Sequence, residues 1–331
     1  MIRLKAGALR RLPVYLAREG WRRVLVLVSE GLPAAVEECL AACDFVERLT
    51  ATGDSVEWLE SLKLKPNSVD AVCGVGGGKA LDLAKLLAYQ HDLPYMAVPT
   101  SLSNDGFCSP QSSLMLQGRK ASLPARLPVA VVVDLEVALQ APLSLWLSGV
   151  GDLVAKRTAV RDWKIAFHTA DAPFDDLAAL LSDASVFQFM GRPTRDLEGI
   201  RLLAQALLMN GVAMEIAGSS RPASGSEHLI SHALDQICDT PRLHGLQVGL
   251  ATYWMARVQE QGVADLDHLF ESTGFWKYWR ENPSPREHWS RALTLAPTIK
   301  RHFVTILSQP GALERAAEIL NEDKRLCESL F

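Results

Sequence analysis

Three histidines and one aspartate are the residues whose types could hold a metal ion: His228, His232, His244 and Asp152. His228 and His232 stand four apart after Ser224-Gly225-Ser226-Glu227, which reads as a capping box, so both fall on one face of the helix that starts there. His244 lies in the turn Pro241-Arg242-Leu243-His244-Gly245, ahead of the next helical pattern. Imidazoles on adjacent elements can converge on one divalent ion, with an oxygen ligand completing the set. Asp152 is the candidate oxygen ligand; it follows Ser148-Gly149-Val150-Gly151 and reads as the start of a helix. The competing reading makes the histidines surface or hydrogen-bonded core residues and Asp152 an N-terminal cap. His228-Leu229-Ile230-Ser231-His232 lacks the glutamate of a metalloprotease HExxH motif. His91, His168, His268, His288 and His302 have no comparable setting.

A second chemistry is suggested by Gly74-Val75-Gly76-Gly77-Gly78, which lies between a strand pattern and a helical one. Glycines let backbone N–H groups approach phosphate oxygens, and a helix N-terminus favours an anion. The spacing is neither GxGxxG nor a P-loop, because Lys79 precedes Ala80 and Cys73 stands where the first P-loop glycine belongs. The plain alternative is a tight strand-to-helix turn. Asp82 and Lys85 fall on the first turns of that helix, and Asp82 is a candidate for positioning the loop or a cofactor. The next strand pattern ends in a polar loop, Pro99-Thr100-Ser101-Leu102-Ser103-Asn104-Asp105-Gly106. Open α/β sheets bind ligands at such strand ends, although the same residues also cap ordinary surface turns. Asp105 is the loop residue singled out for function.

The elements that must position these groups divide in two. Val24–Val28, Ala71–Cys73, Tyr95–Val98 and Val129–Val133 are short apolar runs of strand type, and they alternate with helical patterns at Ala34–Ala42 and Lys79–Tyr89. That alternation predicts a parallel, helix-covered sheet. Beyond residue 147 the patterns are helical: Asp152–His168, Phe174–Met190, Asp196–Ile216, Glu227–Ile237 and Leu246–Glu260. The expected organisation is an α/β, Rossmann-like domain at 1–147 followed by an all-helical domain at 148–331. The segment Asn282–Glu287 reads as a loop.

Composition narrows the partners. The 331 residues carry a formal charge of -4, which gives no electrostatic reason to expect nucleic acid or an anionic membrane. No uncharged apolar run reaches bilayer length, and no apolar leader follows Met1. Six scattered cysteines without a CxxC pair suggest reduced thiols and a cytoplasmic location.

These pieces fall in the order of one family. The chain resembles the sn-glycerol-1-phosphate dehydrogenases, within the superfamily of iron-containing alcohol dehydrogenases and 3-dehydroquinate synthases. The resemblance runs from about Val69 to Ala256. It rests on Gly76-Gly77-Gly78-Lys79 with Asp82, on Pro99 to Gly106, on Gly149-Val150-Gly151-Asp152, on Ser224 to His228, and on His244-Gly245 with Gln247-Val248-Gly249. It implies a dehydroquinate synthase-like fold. Gly76, Gly77, Gly78, Lys79 and Asp82 would bind the cofactor, NAD(H) or NADP(H), near its pyrophosphate. Thr100, Ser101, Ser103 and Ser109 would contact it further along.

The resemblance also divides the histidine pair. Asp152, His228 and His244 would bind one divalent metal, with zinc the first choice and iron, nickel or manganese the others. Asp105 and His232 would face the substrate and serve catalysis, with Asp152 also at the substrate through the metal. The implied reaction is reversible reduction of dihydroxyacetone phosphate to sn-glycerol 1-phosphate. Alternatives are a dehydrogenase of another polyol, polyol phosphate or alcohol, a dehydroquinate synthase-like lyase, and a non-catalytic metal- or nucleotide-binding regulator. Lys120, Lys156 and Arg221 are candidate cations for the substrate phosphate, and Glu30 is a candidate for reading the adenosine ribose. A homo-oligomer would suit the apolar C-terminal helices. The part from Gln261 on, with Trp276, Trp279 and Trp289, does not align with the family pattern.

Overall fold

The computed structural model describes residues 1–45, 47–62 and 68–331. Two compact units form: Met1–Ala141 together with Asp196–Val212, and Pro142–Arg195 together with Ala213–Phe331.

The first unit contains β1 (Ile2–Lys5), α1 (Leu12–Arg18), β2 (Val24–Val28), α2 (Ala34–Ala41), β3 (Glu47–Thr50), α3 (Val56–Ser61), β4 (Ala71–Gly76), α4 (Gly78–Gln90), β5 (Tyr95–Pro99), β6 (Gln111–Leu116), β7 (Arg119–Pro124), β8 (Ala130–Asp134) and α5 (Leu135–Gln140). Six strands form one parallel sheet in the order β1-β8-β5-β4-β2-β3. β2, β4, β5 and β8 are buried along their whole length, as strands covered on both faces must be. Their continuous apolar runs are what made them readable.

The two strands that the patterns did not announce, β1 (IRLK) and β3 (ERLT), are the sheet edges. An edge strand faces solvent on one side and tolerates charge. Also unannounced is the antiparallel hairpin β6–β7, which mixes polar and apolar residues and turns through Gln117 and Gly118, both at positive φ. From β2 onward the strands follow the doubly wound order 2-1-3-4-5, whose switch point lies between β2 and β4. The carboxyl ends of those strands are the expected ligand crevice.

The second unit is helical. It contains α6 (Leu143–Val154), α7 (Lys156–Ala170), α8 (Asp176–Met190), α10 (Ser226–Ile237), α11 (His244–Val258), α12 (Ala264–Thr273), α13 (Phe275–Glu281), α14 (Arg286–Ile299), α15 (Ala312–Glu322) and α16 (Lys324–Ser329). The intervening α9 (Leu197–Ala217) is divided between the units at Val212. Among the described residues α9 is the helix long and apolar enough, by length and composition, to cross a membrane; half of it is buried inside the fold. Residue 147, where the sequence patterns changed character, lies within α6.

Two local expectations are corrected. Asp152 does not start a helix: α6 begins at Leu143, after Pro142, and Asp152 lies near its end. The glycines before it read as a break, yet they are helical because another helix needs the space. The capping box at Ser224 is replaced as well. Gly225 is the N-cap of α10 and supplies no side-chain cap. Glu227 still accepts the Gly225 N–H at 2.6 Å, while Asp162 of α7 accepts the Ser226 N–H at 2.6 Å. Trp276, Trp279 and Trp289 are buried, Trp279 and Trp289 edge to face at 5.9 Å, so these three fill core. All six cysteines are free thiols.

Candidate metal centre and cofactor loop

The candidate metal centre is built on a helix crossing without side chains between the backbones. A Cβ on Gly151 of α6 would stand 2.0 Å from the carbonyl oxygen of Gly245 of α11, and one on Gly245 would stand 1.9 Å from that of Ser148. A Cβ on Gly249 would meet the Gly151 Cα at 2.7 Å. The Gly245 N–H donates to Ser148 Oγ at 3.1 Å and ties the crossing. Helical glycine is locally unfavourable, but here it permits an approach that no other residue allows. The approach carries Asp152, beside Gly151, to His244, the first residue of α11. α10 adds His228 from its first turn.

Asp152, His228 and His244 each offer a ligand atom, and these atoms all lie within 4.8 Å of one another. His228 Nε2 stands 3.7 Å and His244 Nε2 3.8 Å from Asp152 Oδ1. Those separations exceed a hydrogen bond. They approach the ligand–ligand edge of about 3.4 Å that a tetrahedral zinc shell requires. Both Nδ1 atoms are engaged elsewhere: His228 Nδ1 with Glu227 Oε1 at 2.8 Å, His244 Nδ1 with Ser231 Oγ at 3.1 Å. The donor set of one carboxylate and two imidazoles therefore fits a divalent ion. His232 is outside the group, its ring stacked 5.8 Å from that of His244. Spacing along α10 alone had left His228 and His232 as equals.

Electrostatics keep the carboxylate ready to bind a cation. Burial alone would push Asp152 up; Lys156, His228 and His244 more than offset it and hold Asp152 well below the usual carboxylate range. Lys156 is fully buried, its Nζ donating to the Asp152 carbonyl at 2.8 Å and lying 3.5 Å from Oδ2. It serves Asp152 directly, whereas the sequence offered it to a substrate phosphate. Burial opposes charge on His228 too, but Asp152 and Glu227 raise it above its ordinary value.

In the first unit, the glycine loop lies at the switch point. Gly76 ends β4 at φ 133°, a conformation costly for any side chain, and a Cβ there would strike Ser29 Oγ at 2.2 Å. Ser29, just past β2, accepts the Gly77 N–H at 2.9 Å. Above Gly78 there is open space within 4 Å. Helix geometry leaves the first N–H groups of α4 without an acceptor inside the helix. Together these make a cradle that suits a phosphate. The Lys79 Nζ turns to the Thr52 carbonyl at 3.1 Å. Asp82 pairs with the buried Lys85 at 3.1 Å, and burial pushes its carboxyl up against the pull of that lysine.

Lys85 also donates to the carbonyls of Gly106 at 2.6 Å and Gln111 at 2.5 Å, with Ser109 Oγ at 3.3 Å. It pins the polar loop to α4. Thr100 donates its N–H to the Gly76 carbonyl at 3.0 Å, joining the two loops; Ser101 and Ser103 follow it, and Asp105 opens a 3-10 turn at Asp105–Cys108 capped by Asn104. Lys120 lies on β7. Arg221 stacks on Phe303 at 3.6 Å and donates to the Val304 carbonyl. Glu30 is exposed beyond β2. Sequence reading gave no role to Ser29 or Ser231, and used Gln247 and Glu227 as motif residues, Glu227 also as a cap, without a part in holding the histidines. Glutamate directly before a candidate ligand histidine was the available signal.

Comparisons with known proteins show the family. The sequence signature of the family described as iron-containing alcohol dehydrogenase matches residues 3–142. A protein of Pyrococcus furiosus named glycerol-1-phosphate dehydrogenase, NAD(P)+, is 39% identical over 272 residues, spanning 81% of this chain and 78% of that one. Its namesake from Methanothermobacter thermautotrophicus is 35% identical over 302 residues, 90% of this chain and 86% of that one. The chain belongs to the glycerol-1-phosphate dehydrogenase family. Family membership agrees with the resemblance carried by the five motifs. A crystal structure of a probable glycerol dehydrogenase from Sinorhizobium meliloti 1021 shares the fold, with a TM-score of 0.76 at 19% identity, covering 99% of this chain and 96% of that one. The α/β half followed by a helical half is thus a fold that this chain shares with that protein.

Proposed function

We propose that the chain catalyses the reversible, NAD(P)H-linked reduction of dihydroxyacetone phosphate to sn-glycerol 1-phosphate. The carrying observation is the convergence of Asp152 Oδ1, His228 Nε2 and His244 Nε2, with both imidazole Nδ1 atoms held away. The names of relatives at 35% and 39% identity supply the substrate. A divalent ion held by these three groups would supply Lewis acidity toward the oxygen of the reacting carbon, zinc being the first choice for one carboxylate and two imidazoles. Iron, nickel or manganese would also suit the set.

A bound nicotinamide cofactor would supply the hydride chemistry, and this chain would bind and orient it. The Gly76–Gly78 turn and the start of α4 would hold the pyrophosphate, with Thr100, Ser101, Ser103 and Ser109 alongside. Ser109, held by Lys85 and the Gln111 carbonyl, is buried and would contact the cofactor only at its edge. Asp105 and His232 would face the substrate. His232, beside His244 but outside the ligand group, is the proposed proton carrier to the substrate oxygen. The free thiols support a cytoplasmic setting. Exposed Leu177, Leu180 and Phe187 share one face of α8 and support self-association.

The test is NADH oxidation by zinc-reconstituted protein, with dihydroxyacetone phosphate set against dihydroxyacetone. A rate confined to the phosphorylated ketone supports the assignment. Equal rates point instead to a polyol dehydrogenase, and turnover without net NADH consumption to a lyase.

A further inference from the structure

Each candidate metal-binding imidazole is held from behind by a group with only one role open to it. Glu227, fully buried on α10, places Oε1 2.8 Å from His228 Nδ1. A carboxylate has no proton to give, so His228 Nδ1–H donates and Nε2 keeps its lone pair for the ion. The carboxylate is itself fixed: Oε1 also accepts the Gly225 N–H at 2.6 Å, and Oε2 accepts from Thr158 Oγ1 of α7 at 2.7 Å.

His244 is held by a neutral version of the same device. Ser231 Oγ donates to Gln247 Oε1 at 2.8 Å. With its proton spent there, Ser231 Oγ can only accept from His244 Nδ1, 3.1 Å away. Ser231 and Gln247 are both buried, which removes water as a competing partner.

We propose that Glu227, locked by Thr158, and Ser231, locked by Gln247, are the positioning residues of the metal centre, each fixing one histidine as the Nδ1–H tautomer with Nε2 on the ion. This rests on Asp152, His228 and His244 being the ligands. The two supports are unequal. A hydrogen bond to a charged acceptor is about twice as strong as one between neutral groups. His228 is therefore the anchored ligand and His244 the more easily displaced one. Outer partners of this kind are worth roughly 10–100-fold in metal affinity.

The experiment is zinc binding by the full-length chain in competition with a chromophoric chelator, for wild type, Glu227→Gln, Ser231→Ala and Ser231→Thr. Expected are roughly 10–100-fold weaker binding for Glu227→Gln, a smaller loss for Ser231→Ala, and recovery in Ser231→Thr, which keeps the hydroxyl. Melting of the metal-free proteins separates this from a general structural role, which would lower stability and leave zinc affinity alone. Nitrogen-15 NMR of histidine in the zinc-loaded wild type reads the tautomers without any variant. Zinc on Nδ1 of either histidine overturns the proposal, and so does wild-type affinity in both Glu227→Gln and Ser231→Ala. A wild-type chain that binds no zinc overturns the ligand assignment itself, and the positioning roles with it.

Discussion

His228 and His232 are the same residue type one helical turn apart, and what separates them is what each nitrogen touches. His228 Nε2 faces Asp152, and its Nδ1 is held by Glu227. His232 lies outside the ligand group, its ring beside that of His244. The two replacements should therefore fail differently. His228→Ala is expected to strip the bound metal and the activity together. His232→Ala is expected to keep its metal content, measured by elemental analysis, while kcat falls by about 10²–10⁴-fold, the usual worth of a general acid–base group. Loss of metal from the second variant would return His232 to the ligand shell. Chelator treatment of wild type should abolish NADH oxidation, and added zinc should restore it.

Elements decide whether those residues meet. Gly151→Ala forces a methyl group toward the Gly245 carbonyl, 2.0 Å from where Cβ would sit, so α6 and α11 must part. The expected cost is about 1–3 kcal/mol in denaturant unfolding, as for other overpacked cores, together with weaker zinc binding as Asp152 leaves His244. Gly78→Ala is the contrasting case. Open space above Gly78 predicts an undisturbed fold and a raised Kd for NADH, read by fluorescence titration. Unchanged NADH binding would remove the loop from the cofactor site. The elements also show what the sequence could disclose. β2, β4, β5 and β8 were legible because burial on both faces demands unbroken apolar runs, whereas β1, β3 and the β6–β7 hairpin carry polar residues that solvent tolerates. The candidate ligands Asp152, His228 and His244, which the fold brings together, were legible by type and through the resemblance. The helix around Asp152 was not, because Gly149 and Gly151 look like a break until the partner helix is known. Ser231 and Gln247 were invisible as outer partners, since a serine–glutamine contact between two helices leaves no spacing signal.

At the scale of the whole molecule, one buried carboxylate binds distant stretches of the helical unit together. Asp162 of α7 accepts from Ser226 N at the start of α10, Gln259 Nε2 beyond α11 and Ile306 N, at 2.6, 2.8 and 2.7 Å. Burial and the charge of Glu227 push its carboxyl up to about 7, the donors working the other way. In the unfolded chain it would titrate near 3.8. Between those values the folded state holds more protons than the unfolded one, so this group's contribution to stability falls as pH rises from about 4 to about 7. Above that range it is constant. The slope is at most about 1.4 kcal/mol per pH unit. Denaturant unfolding of the metal-free protein across this range should show that component in wild type and its loss in Asp162→Asn, whatever the variant's absolute stability. Parallel pH profiles for the two proteins would show that Asp162 stays ionised.

The α6–α11 crossing leaves a practical consequence for anyone wishing to change the metal. Backbone rests on backbone there, so peptide dimensions, rather than replaceable side chains, gauge the span between Asp152 and His244. Ordinary core substitutions have no purchase on that gauge: a larger residue wrecks it, and a smaller one does not exist. Redesign toward a softer or larger ion would do better to leave the helices alone and work on Ser231 and Gln247, where the grip on one ligand can be loosened by degrees.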